Sequence, residues 1–325
     1  MELLAKLAQA YGASGNESVV RDIIISEIKK YCDDYEVDAM GNLVAHKKGN
    51  GVKVMFAAHM DEIGIIVTHI DKNGYLRFSK VGGLYIRDLV HRRVRFSNGV
   101  VGVIGSEKDE FNKKPDIRRL YIDIGADTRD EASKSVSIGD TAVFCGETVV
   151  SGNRIISKAL DNRAGCYILI SAMKKIKRNK NDLYFVFTTQ EEVGLRGAKA
   201  AAYSVDPDYA IAIDVTDTGD TPECNVMDVK LGRGAAIKVM DSSIICDVDV
   251  RTVLIETAKK NKIPYQIEIM SDGGTDAGAV HLTRAGIKTG GISLPTRYIH
   301  SPSEMADIKD LEACCELLIK SVDAF

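Results

Sequence analysis

Histidines and carboxylates recur in this chain where apolar runs end, and residues of those types could hold divalent cations around an attacking water. In Ala58-His59-Met60-Asp61-Glu62-Ile63-Gly64, a histidine followed two residues later by an aspartate suits a metal ligand whose second ring nitrogen is held by a carboxylate. Gln190-Glu191-Glu192 places two carboxylates where the run DLYFVFT meets a loop. Asp214 lies inside the apolar run YAIAIDV, where an unpaired carboxylate would be costly, so a partner or a metal is expected. Asp161 stands in SKALDNR just ahead of a helical pattern, and His300 in PTRYIHSP on the loop after the last apolar run. Taken singly, each has an ordinary alternative: a helix N-cap for Asp161, a helix-dipole partner for the glutamates, an exposed loop residue for His300. Their shared place at the ends of core strands is the stronger signal, because open α/β sheets bind ligands there.

The elements that must position these residues are legible as alternating patterns. Lys53–Ala58, Asp182–Thr188, Tyr209–Val215 and Ile287–Leu294 are short, nearly continuous apolar runs, as expected for strands buried on both faces. Helical periods fall at Glu17–Tyr31, Asn162–Lys177, Gly197–Tyr203, Asp249–Lys260 and Asp307–Val322; the first is expected to be capped by Ser14–Asn16 and to bury Val19, Ile23, Ile24 and Ile28. The alternation predicts an α/β fold, a mixed central sheet with helices on both faces. From about residue 69 to 155 the rhythm breaks into short alternating strands with hairpin signals at Asn73-Gly74 and Asn98-Gly99. A small inserted β-barrel-like domain over 69–155 is expected, splitting an α/β domain into 1–68 and 156–325.

Composition excludes several classes of function. The 325 residues carry 43 Lys and Arg against 46 Asp and Glu, a net charge of −3, with no basic block to track phosphates, so no nucleic-acid partner is expected. No stretch approaches the ~18 apolar residues of a spanning helix, and the first eleven residues do not read as a signal peptide, so no membrane partner and a cytoplasmic location are expected. Seven cysteines without CxxC spacing read as structural thiols, at least one of Cys314 and Cys315 in the core. His46, His69, His91 and His281 also read as structural. Without a single Trp, the chain is poorly equipped for the aromatic-lined groove of a glycosidase.

As a set, AHMDEIG (58–64), SKALDNR (157–163), TTQEEVGLRGA (188–198), the strand ending in Asp214, SDGGTDAG (271–278) and RYIHSP (297–302) resemble the M42 family of metalloaminopeptidases, within the co-catalytic zinc peptidase clan, over essentially the whole chain. Relatives include glutamyl and deblocking aminopeptidases, some labelled endoglucanase. The resemblance implies two divalent metal ions per subunit, one bound by His59 and Asp214, the other by Glu192 and His300, with Asp161 bridging. It makes Glu191 the general base, while Asp61 orients His59. Two imidazoles and three carboxylates without thiolate suit zinc or cobalt, with manganese also compatible, and do not choose among them. The implied activity is removal of N-terminal residues from short peptides. The alternatives are a related amidohydrolase or deacylase and a non-catalytic peptide-binding assembly protein. The resemblance further implies a homo-oligomer, a dodecamer built from dimers joined through the inserted domain, and a cis Asp161–Asn162 bond. The turn Gly273-Gly274-Thr275-Asp276 lacks the lysine of a phosphate-binding loop and is expected to shape the substrate cleft. The preferred first residue is left open.

Overall fold

Strand and helix alternate around one large sheet. The computed structural model describes residues 1–107, 116–224 and 226–325. Strands β1 (Asp34–Val37), β2 (Leu43–Lys47) and β3 (Lys53–His59) begin the sheet. The chain then leaves it to form β4 (Gly64–Ile70), β5 (Leu76–Val81), β6 (Arg93–Phe96), β7 (Val101–Ser106), β8 (Leu120–Asp123) and β9 (Thr141–Phe144). These six close into a barrel in the order β4-β5-β8-β7-β6-β9. Inward residues such as Ile65, Phe78, Val94, Phe96, Ile104 and Ile122 fill it, so the insertion has a core of its own.

The chain returns to the large sheet through β10 (Val149–Ser151), β11 (Arg154–Ser157), β12 (Asp182–Thr188), β13 (Tyr209–Thr216), β14 (Ala235–Met240), β15 (Tyr265–Ile269), β16 (Lys288–Arg297) and β17 (Glu304–Asp307). The order is β1-β2-β12-β3-β13-β16-β17-β11-β10, with β14 on β16 and β15 on β14. At its centre β3 lies parallel to both β12 and β13. All of β3 after Lys53 is buried, which is why its sequence, KVMFAAH, runs apolar without alternation. Pairing puts the first strand of the barrel at Gly64, while residues 149–157 hydrogen-bond to the large sheet through β17.

Eight helices complete the fold: α1 (Glu2–Gln9), α2 (Ser18–Ile28), α3 (Arg129–Ala132), α4 (Leu160–Lys175), α5 (Arg196–Val205), α6 (Val248–Asn261), α7 (Ala277–Val280) and α8 (Ile308–Ser321) among the described residues. The expected capping of α2 by Ser14–Asn16 does not occur, since no side chain caps that helix. Ile24 and Ile28 are buried as expected and Ile23 partly so, but Val20 completes the stripe in place of Val19, which is 48% exposed. All seven cysteines are free, and both Cys314 and Cys315 are buried. No helix among the described residues is long and apolar enough to cross a membrane.

Candidate metal centre

Parallel strands bring their C-terminal ends together, and the titratable residues collect there. His59 is the last residue of β3, and Asp214 lies near the end of β13. Glu191 and Glu192 follow β12 through Gln190, held at φ 55°. His300 follows β16 and itself adopts φ 62°, a left-handed conformation unusual for a residue with a side chain. Asp161 opens α4, where the Asp161–Asn162 bond is cis, as the resemblance implied, and both residues depart from helical angles. Gly165 explains how closely α4 approaches β13: an added Cβ would sit 2.2 Å from Asn162 Oδ1 and 2.7 Å from the Ile213 carbonyl oxygen. Asn162 in turn donates to that carbonyl at 2.8 Å.

The side chains form two triads that share one member. His59 Nε2 is 3.0 Å from Asp161 Oδ1 and 3.7 Å from Asp214 Oδ1. His300 Nε2 is 3.4 Å from Asp161 Oδ2 and 3.2 Å from Glu192 Oε2. Ligating atoms of His59, Asp161 and Asp214, and separately of Asp161, Glu192 and His300, fall within 4.8 Å of one another, close enough to hold a cation in each group. Glu191 belongs to neither triad, but its Oε2 lies 3.9 Å from His59 Nε2.

The electrostatics fit a cation. Burial raises Glu191 and Asp214 well above the usual carboxylate range, and neighbouring negative charges add to the rise while His59 opposes it. Glu192 rises for the same first reason, with His300 opposing. Burial also pushes Asp161 upward, but hydrogen bonds from His300 and His59 reverse the sign and leave it low. Both imidazoles, which burial alone would depress, are raised by the surrounding carboxylates. Glu192 Oε1 is buried with no hydrogen-bond partner, an open acceptor at the position of a ligand. Four carboxylates around two imidazoles suit a hard or borderline cation.

Surrounding groups hold this arrangement, and several escaped the sequence reading. Asp61 does more than face His59 Nδ1 at 3.4 Å: it accepts the backbone N–H of Glu191 at 3.0 Å and of Glu192 at 3.2 Å, and the Ser14 hydroxyl at 2.6 Å. Ser14 therefore serves the site and not the helix. Glu304, 1% exposed, accepts the N–H of Asp161 at 2.9 Å and that of His300 at 3.0 Å, so one carboxylate fixes the spacing of the two backbone segments that carry these residues. Its place four residues beyond His300 was the available signal. Glu62 takes Lys158 at 2.5 Å and Arg163 at 3.0 Å, all three buried. Arg163 also donates to the carbonyls of Met60, Leu7, Ala10 and Gly12, which ties the N-terminal segment to the strand bearing His59. Among the histidines read as structural, His46 stacks on Tyr184 and pairs with Asp182.

The triads open into a cavity of about 440 Å³, whose lining includes Gly273 and Gly274, the glycine-rich turn expected to shape the cleft. A mixed α/β sheet with paired imidazole and carboxylate triads at its strand ends, beside such a cavity, defines a hydrolase of the metallopeptidase class. A family model described as M42 glutamyl aminopeptidase matches residues 41–317, and the chain belongs to the M42 peptidase family. A relative from Acetivibrio thermocellus, provisionally named an aminopeptidase, is 54% identical over 322 residues, covering 99% of this chain and 98% of its own. The aminopeptidase APDkam598 of the archaeon Desulfurococcus kamchatkensis superposes with a TM-score of 0.96 at 40% identity, over 99% of this chain and 94% of that one. The Pyrococcus horikoshii TET1 peptidase, which can assemble into a tetrahedron or a large octahedral shell, gives 0.89 at 38% identity, over 99% and 98%. The protein is an aminopeptidase, a hydrolase that removes N-terminal residues from peptides.

Proposed function

We propose that this chain is a two-metal aminopeptidase of short peptides, in which His59 and Asp214 hold one ion, Glu192 and His300 the other, and Asp161 bridges them. The observation that carries this reading is the orientation of Asp161, with Oδ1 toward His59 and Oδ2 toward His300. Zinc or cobalt suits the donor set, and manganese is compatible. When bound, such ions acidify water and polarise a carbonyl. Glu191, outside both triads and with a raised carboxyl pKa caused first by burial, accepts a proton from the attacking water and returns it to the leaving amine. Asp61 fixes the His59 ring and the backbone of both glutamates.

The inserted barrel joins subunits into dimers, and the dimers into a twelve-subunit assembly in the cytoplasm. The shell formed by the TET1 peptidase and the free thiols support that reading. A deacylase or a non-catalytic binding protein is less well supported than an aminopeptidase. Turnover of aminoacyl amides with and without a chelator tests the metal requirement. Activity is expected to vanish on prolonged chelation and return with Zn²⁺ or Co²⁺; full turnover by protein shown metal-free by elemental analysis would overturn it.

A further inference from the structure

Strand β15 is an edge of the large sheet, hydrogen-bonded to β14 and to no other strand among the described residues. Its sequence, YQIEI, has neither proline nor lysine to guard the open side, and its one charged residue, Glu268, is buried against Lys238. Ile267 and Ile269 are 40% and 56% exposed. An apolar edge left in that state offers its N–H and C=O groups to another extended chain. A cavity of about 480 Å³ lies along it, walled by Gln266, Ile267 and Ile269 on one side and by Val226, Met227 and Asp228 on the other. Gln266 pins the two walls together: its side chain accepts the Lys230 N–H at 2.8 Å and donates to the Lys230 carbonyl at 2.9 Å. Among the described residues no backbone hydrogen bond closes the space between β15 and residues 226–228.

This groove continues into the catalytic cavity. It shares Val226, Met227 and Ile269 with a middle cavity of about 340 Å³, which in turn shares Asp217, Met270 and Asp272 with the cavity beside the triads. The strand itself leads there, because Met270, Ser271 and Asp272 follow directly on Ile269. A peptide held by its first residue at the triads has the rest of its chain to place, and the three cavities in series run from the triads to an unpaired strand. We propose that the peptide beyond its first residue lies in this groove as an added strand on β15, with apolar side chains against Ile267, Ile269 and Val226. The added strand is antiparallel, since the peptide begins at the triads, where β15 finishes. The five residues of β15, at roughly 3.3 Å each, span about 17 Å and pair with about five residues of peptide. Main-chain pairing gives affinity whatever the sequence, and the apolar walls favour apolar side chains. The inference rests on the aminopeptidase reading and adds a site for the peptide chain that follows the first residue.

The test is kcat/KM of the metal-loaded enzyme for release of leucine from leucyl-alanine and from leucyl peptides with progressively longer tails of alternating alanine and valine. Relative to the dipeptide, kcat/KM is expected to climb about tenfold, equivalent to ~1.4 kcal/mol, and to level off once the tail fills the strand, at about six residues in all. In Ile267→Glu/Ile269→Glu that gain should disappear. A ratio within each protein is read because a general loss of structure would lower every substrate together. Methylated peptide nitrogens give a second readout, since only alternate residues of an added strand hydrogen-bond to their neighbour. N-methyl groups on the third and fifth residues, and on the fourth and sixth, should therefore differ about tenfold in kcat/KM. No gain with length overturns the proposal, as does a double variant that keeps the gain. A double variant of smaller mass by light scattering would show this edge covered by a second copy of the chain, and overturns it too. If that variant does not fold, the methylated peptides on the wild type decide, equal rates overturning the proposal. Release of leucine from none of the peptides would instead sink the aminopeptidase reading itself.

Discussion

Glu191 and Glu192 are adjacent and chemically identical, so only geometry can give them different roles. Glu192 Oε2 lies 3.2 Å from His300, within a triad, while Glu191 lies outside both. Glu191→Gln keeps the shape of the side chain and removes the proton acceptor, so it should retain near-normal metal content while losing ~10² to 10⁴ in rate. Glu192→Gln should weaken metal binding and be partly rescued by excess metal. Elemental analysis beside turnover checks both, and a metal-depleted Glu191→Gln with a fully loaded Glu192→Gln would reverse the assignment. At this scale the reacting groups were readable from the chain because they are chemically distinctive and sit where apolar runs stop. The groups that hold them were legible only in part. The two-residue spacing paired Asp61 with His59, but a carboxylate's type and spacing do not name a distant N–H donor such as that of Glu191 for Asp61 or Asp161 for Glu304.

Between elements, Arg163 joins α4 to the N-terminal segment, to the end of β3 and to Glu62. It is fully buried, so its replacement leaves buried carbonyls and a buried carboxylate short of partners. Arg163→Met should cost ~3 to 5 kcal/mol, the range for breaking a buried ion pair by removing one partner. That corresponds to a fall of about 4 to 7 °C in melting temperature for a protein of this size. Arg163→Lys should fall between, because an ammonium keeps the charge but not the planar fork of donors. Calorimetry of the three proteins checks this, and an unchanged midpoint in Arg163→Met would refute the role. The strongly periodic elements were legible in the sequence. The strand β14 was not, because Lys238 interrupts its apolar run; the fold accommodates that charge by burying it against Glu268 and Asp241. The hairpin of β10 and β11 looked like part of the insertion because its partner, β17, lies some 150 residues further along the chain.

For the whole molecule, the barrel poses a question of surface chemistry. Its inside is saturated by its own core, yet on its outer face Val101 and Val103 of β7 are 47% and 42% exposed. Beyond β8 on the same side, Tyr75 packs edge-on against Tyr121 at 4.9 Å and remains partly exposed. Pairing sets Val101 opposite Arg95 and Val103 between Arg93 and Asp123, so the exposed valines are framed by charged side chains, the mixed surface of apolar centre and polar rim found where chains meet. If this patch joins subunits in the proposed assembly, Val101→Glu/Val103→Glu should place charges in a desolvated contact and release smaller species. The same change should hardly affect the subunit's own fold, because substitutions on an exposed face are usually worth within about 0.5 kcal/mol each. Light scattering of the wild type is expected to give a mass of twelve subunits and not the 35.4 kDa of one, and the variant a smaller mass at the same concentration. Circular dichroism should show the variant still folded. A folded variant that keeps the full mass would remove β7 from the interface, and a wild type of 35.4 kDa would remove the assembly altogether.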